Sequence, residues 1–178
     1  MTQKKEKKVF NFKDQLRIGD IGEADFIKIY EKLEPVKSKN RQIDFTLNNG
    51  KTVELKTDSY PMDKTVNFFM EKNTILPDET DIPGGPWRSR EHKVDYFVYY
   101  YMTDKVFFWF DPITLCKYLD KYIKTNKVKP IAIPNRDSNG KTFRSYGYKI
   151  PRADIVEVLL QEDKVEIDYK IIEQKKQS

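Results

Sequence analysis

A chain of 178 residues reads as one domain, long enough to bury a sizeable core. Its 38% hydrophobic and 34% charged residues, with eleven Tyr, eleven Phe and two Trp, exclude a disordered polymer. The single cysteine, Cys116, excludes an internal disulfide and a cysteine-rich zinc site, no apolar run approaches a membrane span, and the net charge of +5 favours a polyanionic partner.

Residues 1–10 read as a charged, disordered tail, with Lys4, Lys5, Lys7 and Lys8 able to touch phosphate or simply to face water. No apolar segment follows that could make a signal peptide, so a cytoplasmic protein is expected. A first helix is predicted over residues 16–33, where Ile18, Ile21, Phe26, Ile29 and Leu33 recur at helical spacing. Glu23 projects at the rim of that face. Asp20-Ile21-Gly22-Glu23 also reads as a capping box, and Asp25 falls within the apolar stripe, where a carboxylate is out of place. Glu34-Pro35 ends the helix. Lys37, Lys39 and Arg41 follow in a polar loop, as candidates to contact backbone phosphate or as solvated charges.

Residues 43–47 and 51–56 are rich in β-formers and flank Asn48-Asn49-Gly50, which predicts a hairpin. The turn length decides the chemistry. A two-residue Asn49-Gly50 turn sets Asp44 opposite Leu55. A three-residue loop with Gly50 in the left-handed region sets Leu47 opposite Lys51 and Asp44 opposite Glu54. Opposed residues share a face, and Lys56, two residues past Glu54, joins them. Ile43, Phe45, Val53 and Leu55 then fill the other face. Opposed carboxylates repel, and a hard divalent cation removes that cost. A lysine beside such a cation can activate or orient a water, or offset charge on a phosphate.

Asp44 followed by Glu54-Leu55-Lys56 resembles the D…E-x-K core of the PD-(D/E)XK nuclease superfamily. That group includes many restriction endonucleases, Holliday-junction resolvases and phage recombination nucleases. Ile43 stands where the motif's name has proline. The motif is short and recurs by chance; the hairpin gives it weight. The resemblance implies Asp44 and Glu54 as metal ligands with Leu55 as a third, Lys56 as the catalytic lysine, and Mg²⁺ as cofactor with Mn²⁺ able to substitute. Many members carry an acidic residue on the first helix, a part that Glu23 would take. The implied fold is α/β, a mixed central sheet flanked by helices.

Beyond a turn-rich stretch, residues 65–71 read as a third strand, similar to a Thr-Gly-Asn-aromatic-apolar-Glu strand of some nuclease families, with Val66 in the glycine's place. Whether Asn67 or Glu71 does chemistry stays open. Residues 76–86 hold prolines and glycines and read as an acidic loop. Trp87 to Lys93 follows as a short helix, whose Arg88, Arg90 and Lys93 are candidate phosphate contacts and whose Trp87 is a candidate stacking ring. His92, the one histidine, reads as structural. Residues 94–102 form the strongest strand, apolar on both faces and hence central, and residues 105–110 pair back. Asp111 caps a helix with Pro112 in its first turn. Residues 131–139 read as loop, 141–150 as a basic strand, 151–160 as a helix and 165–172 as a closing strand. The resemblance covers about residues 16–125, and residues 131–178 form a C-terminal elaboration of a single domain.

The expected activity is Mg²⁺-dependent DNA endonuclease, in the manner of restriction or recombination enzymes, with DNA and a divalent metal as partners, no membrane, and a homodimer wherever duplex is cut symmetrically. The competing expectation is a catalytically inactive nucleic-acid-binding or inhibitor protein on the same fold; an RNA-directed nuclease is a third. The intact Asp44, Glu54 and Lys56 set argues for the enzyme.

Overall fold

The computed structural model describes residues 10–40, 43–136, 140–161, 163 and 165–169. Both the N-terminal tail, up to residue 9, and Arg41 lie outside the described residues. The chain runs β1 (Phe10–Asn11), α1 (Phe12–Ile29), a 3-10 turn (Glu31–Leu33), β2 (Val36–Lys37), β3 (Phe45–Thr46), β4 (Thr52–Asp58), β5 (Asn67–Ile75) and β6 (Asp81–Pro83). It continues through α2 (Gly85–Glu91), β7 (Tyr96–Tyr101), β8 (Val106–Phe110), α3 (Pro112–Asn126), β9 (Ile131–Arg136), β10 (Thr142–Pro151), α4 (Arg152–Gln161) and β11 (Val165–Tyr169). The class is mixed α/β, and no helix among the described residues is long and apolar enough to cross a membrane.

The strands divide into two sheets. The first is mixed, six strands in the order β11-β8-β7-β4-β3-β2, with β4 and β7 parallel. The second has the order β1-β9-β10-β5-β6 and is antiparallel except where β1 meets β9. This corrects the expectation of one central sheet. The third strand does form at β5, but it leaves the hairpin and pairs with β10 and β6.

Strand β7 is central, as its sequence predicts. Period-two geometry sends its residues alternately to two cores. Val98 and Tyr100 face α1 and pack with Phe26, Tyr30, Phe45, Val53, Phe107 and Trp109. Phe97, Tyr99 and Tyr101 face the second sheet and pack with Phe68, Met70, Trp87, Phe108, Leu115 and Ile155. The six-stranded sheet is thus a middle layer between α1 and the second sheet with its helices.

Helix α1 is rotated and shifted relative to expectation. Its buried stripe is Gly22, Phe26 and then Tyr30, while Leu16 and Ile21 are exposed. Asp25 does lie in the stripe. Its carboxylate accepts from the Tyr100 hydroxyl at 2.7 Å and from Lys105 Nζ at 2.6 Å, which satisfies the charge. Gly22 lets the helix lie against β4, because a Cβ there would overlap the Thr57 side chain.

Helix α3 starts as read. The Asp111 side chain accepts from the Thr114 amide at 2.7 Å, and Pro112 sits in the first turn. Two segments expected as loops hold regular structure: residues 76–86 contain β6 and the start of α2, and residues 131–139 contain β9. Pro134 argues against a strand by composition, yet β9 is held by its antiparallel register with β10, with Pro134 opposite Arg144.

The hairpin takes the three-residue loop. Leu47 N–H donates to Lys51 O at 2.8 Å, Gly50 N–H donates to Leu47 O at 2.9 Å, and Gly50 has φ +81°. Phe45 pairs with Val53 and Thr46 with Thr52, the register that counts on to Asp44 and Glu54. A Cβ on Gly50 would touch nothing, so only backbone strain opposes a side chain there. Gly50→Val is therefore expected to lower stability by about 1–2 kcal/mol, read as a lower urea midpoint with an unchanged slope.

Candidate active site

The site lies where β3 ends and β4 continues. Strand pairing stops at Phe45–Val53, and Asp44 turns aside: its N–H donates to Val53 O at 3.0 Å and its own carbonyl accepts from Ser38 N–H at 2.9 Å. Its carboxylate then does what a strand carbonyl would have done, accepting the Leu55 N–H at 2.7 Å. In a strand, the N–H and C=O of one residue point to the same edge, so the Leu55 carbonyl also points toward Asp44. The Leu55 side chain packs on the α1 side.

Glu54 lies on the opposite face of β4, 7% exposed at its side chain, and forms an ion pair with Arg88 of α2, which is 31% exposed. The pair is incomplete. Glu54 Oε2 and Arg88 Nε are both buried without a hydrogen-bond partner. Asp44 sits between the layers: Glu23 from α1 and Arg88 from α2 both act on its charge. Burial pushes the Asp44 carboxyl above the ordinary carboxylate range; the Leu55 N–H opposes this, Glu23 adds to it, and Arg88 and Lys37 counter it. Burial likewise holds the Arg88 guanidinium below its usual range, against the pull of Asp44.

The other sequence-predicted residues divide. Lys56 shares the face of Glu54 and is one-third exposed, with Nζ 3.9 Å from Glu71 of β5. Glu71 also accepts the Thr74 hydroxyl at 2.9 Å and packs under Gly84 and Gly85 at the start of α2. Glu23 pairs with Lys37 at 2.6 Å, and the lysine side chain stays largely exposed. Arg90 turns to α3, pairing with Asp120 at 3.1 Å, beside the Trp87 indole N–H that donates to the same carboxylate at 2.9 Å. Buried Trp87 is therefore a packing residue and not a stacking platform. Lys39 and Lys93 are exposed. Asn67 offers its main-chain carbonyl to the Tyr101 hydroxyl at 3.0 Å, and the His92 amide closes α2 onto Arg88 O at 3.0 Å. The structure thus brings together Glu23, Lys37, Asp44, Glu54 and Arg88, with Lys56 and Glu71 alongside.

What the sequence did not show is the tie between Arg88 and Glu54. The available signal was physical: a carboxylate in a largely apolar sheet needs a counter-charge, and Arg88 lies in a short helix between buried Trp87 and Ser89.

The donor set fits a divalent cation on two observations. A buried carboxylate oxygen of Glu54 lacks a partner, and the largely buried Asp44 carboxylate accepts from the amide of the next residue, Leu55. No three His, Cys, Asp or Glu side chains among the described residues gather at metal-holding spacing. Two carboxylates, a carbonyl and waters are a set that Mg²⁺ accepts.

The Asp44 shift has a sign that can be measured. Its folded pKa is raised, so the folded state holds a proton that the unfolded state has released. Stability is then greatest below the ordinary carboxylate range and falls as pH rises through it to the folded value. Asp44→Asn keeps an acceptor for the Leu55 N–H and removes the charge. Its melting temperature at pH 7 is expected to equal or exceed that of the wild type, and the difference should close on titration to acid pH. A variant clearly less stable at pH 7 would refute the burial argument.

Compared with protein-family models, with curated proteins and with solved structures, this chain gives no match.

Proposed function

We propose that the chain is a Mg²⁺-dependent nuclease acting on DNA phosphodiesters, on a restriction-endonuclease-like core. One observation carries the reading: Glu54 has an unpartnered buried oxygen, and the Asp44 side chain takes the N–H of Leu55, the next residue along β4, where β3 and β4 diverge. Asp44, Glu54 and the Leu55 carbonyl would hold the metal. A divalent cation there would supply Lewis-acid stabilisation of charge on the phosphodiester. Lys56 keeps its amine on the same face, where it orients the attacking water or offsets phosphate charge, and Glu71 steadies the ammonium. Glu23, tied to Lys37, is an auxiliary acid that raises the negative potential at Asp44.

A second reading has its own observation. The Arg88 guanidinium already neutralises Glu54, as it would in a nucleic-acid-binding protein whose metal site has been given over to an arginine.

Incubation with supercoiled, linear and branched DNA, and with single-stranded RNA, in Mg²⁺ or in EDTA, separates the readings. Cleavage in Mg²⁺ that EDTA abolishes supports the nuclease; binding without cleavage of any substrate supports the second reading. Symmetric duplex cuts would require two copies of the chain. Binding of either kind is expected to weaken steeply with salt, since each phosphate contact releases counterions.

A further inference from the structure

We propose that Arg88 is a tethered cation that holds Glu54 in the metal-free protein and is displaced from it when a divalent metal binds. The inference rests on the metal reading of Asp44 and Glu54 and adds how that site is kept before loading.

The geometry points to a temporary partner. A settled buried Arg–Glu pair normally forks, two parallel N–H···O bonds with both carboxylate oxygens engaged. Here Arg88 meets only Glu54 Oε1, and both the second carboxylate oxygen and Nε are buried with no partner. Each of those orphaned groups carries a desolvation cost that a better arrangement would remove. A metal that took Glu54 Oε2 together with Asp44 would satisfy the carboxylate. The Arg88 side chain is already 31% exposed, which gives the freed guanidinium a route to solvent by a change of rotamer. Arg88 also acts on both carboxylates, since it pairs with Glu54 and attracts Asp44. It therefore stands where the metal's charge would stand.

The arrangement has a use. Two carboxylates left bare in a sheet would repel and loosen the β3–β4 fork. An internal cation keeps the site assembled, and lowers its apparent metal affinity by the fraction of molecules in which Arg88 is engaged.

The test is Mn²⁺ titration by calorimetry, without nucleic acid, of wild type, Arg88→Met and Arg88→Gln. Arg88→Gln keeps a neutral donor for Glu54 and guards against loss of the fold in the methionine variant; folding of each is checked by circular dichroism. Release of the competitor is expected to tighten Mn²⁺ binding by about tenfold or more in both variants. Thermal stabilisation of each variant by Mn²⁺ should likewise exceed that of the wild type. Binding that is unchanged or weaker in the variants would overturn the displacement of Arg88 while leaving the metal site standing. Failure of all three proteins to bind Mn²⁺ would overturn the metal site and this inference together.

Discussion

Glu54→Ala is expected to destabilise the metal-free protein by about 3 kcal/mol, the lower end of the range for breaking a buried ion pair by removing one partner. The cause is Arg88. With Glu54 gone, a partly buried guanidinium loses its counter-charge while Nε is already without a partner. The estimate sits at the low end because Arg88 keeps 31% of its side chain in contact with solvent, where water can take over part of the work. The double variant Glu54→Leu with Arg88→Met should recover most of the loss, because replacing both ions removes both desolvation costs. Urea unfolding of the wild type, Glu54→Leu, Arg88→Met and the double variant measures the coupling. A single variant as stable as the wild type would mean that the pair contributes nothing. Repulsion between opposed carboxylates alone would make deletion of either one leave the fold intact or firmer. The Arg88 ion pair reverses that sign for Glu54.

Lys56→Ala is expected to lower single-turnover DNA cleavage by about 10²–10⁴-fold, the usual range for a positioned acid–base group. DNA affinity in Ca²⁺ or EDTA should change little, since one exposed cation is one phosphate contact at most. This split distinguishes a catalytic lysine from a structural one. If Lys56 served only to pair with Glu71, their 3.9 Å separation at a partly exposed surface would be worth little, and cleavage would be unaffected by its loss.

Local chemistry made the hairpin legible. Asn48-Asn49-Gly50 names its own turn, and the turn names the register that brings Asp44 toward Glu54. The same holds for β7, whose unbroken apolar run can only be central, and for α3, whose Asp111-Pro112 start is a cap by composition. What was not legible depends on partners far along the chain. Strand β5 alternates Phe68 and Met70 inward in either sheet; pairing with β10 decides which one it joins. Strand β9, with its proline, becomes a strand only against β10. Asp25 looked misplaced until Tyr100 and Lys105 met it. Arg88 reads as a phosphate contact because its partner Glu54 lies 34 residues away in sequence, on β4. Arg90, read the same way, pairs with Asp120 on α3 while staying exposed.

The central claim is that Asp44 and Glu54 share one cation. Its most direct test is calorimetric titration of Mn²⁺ into wild-type and Asp44→Asn protein without nucleic acid. The variant keeps the Leu55 N–H satisfied and so keeps the fork in place. The account predicts one binding event in the wild type, weakened by about tenfold or more in Asp44→Asn, because a hard cation's affinity follows the charge count of its ligands. Equal affinity in the two proteins, or no binding event in the wild type, would contradict it.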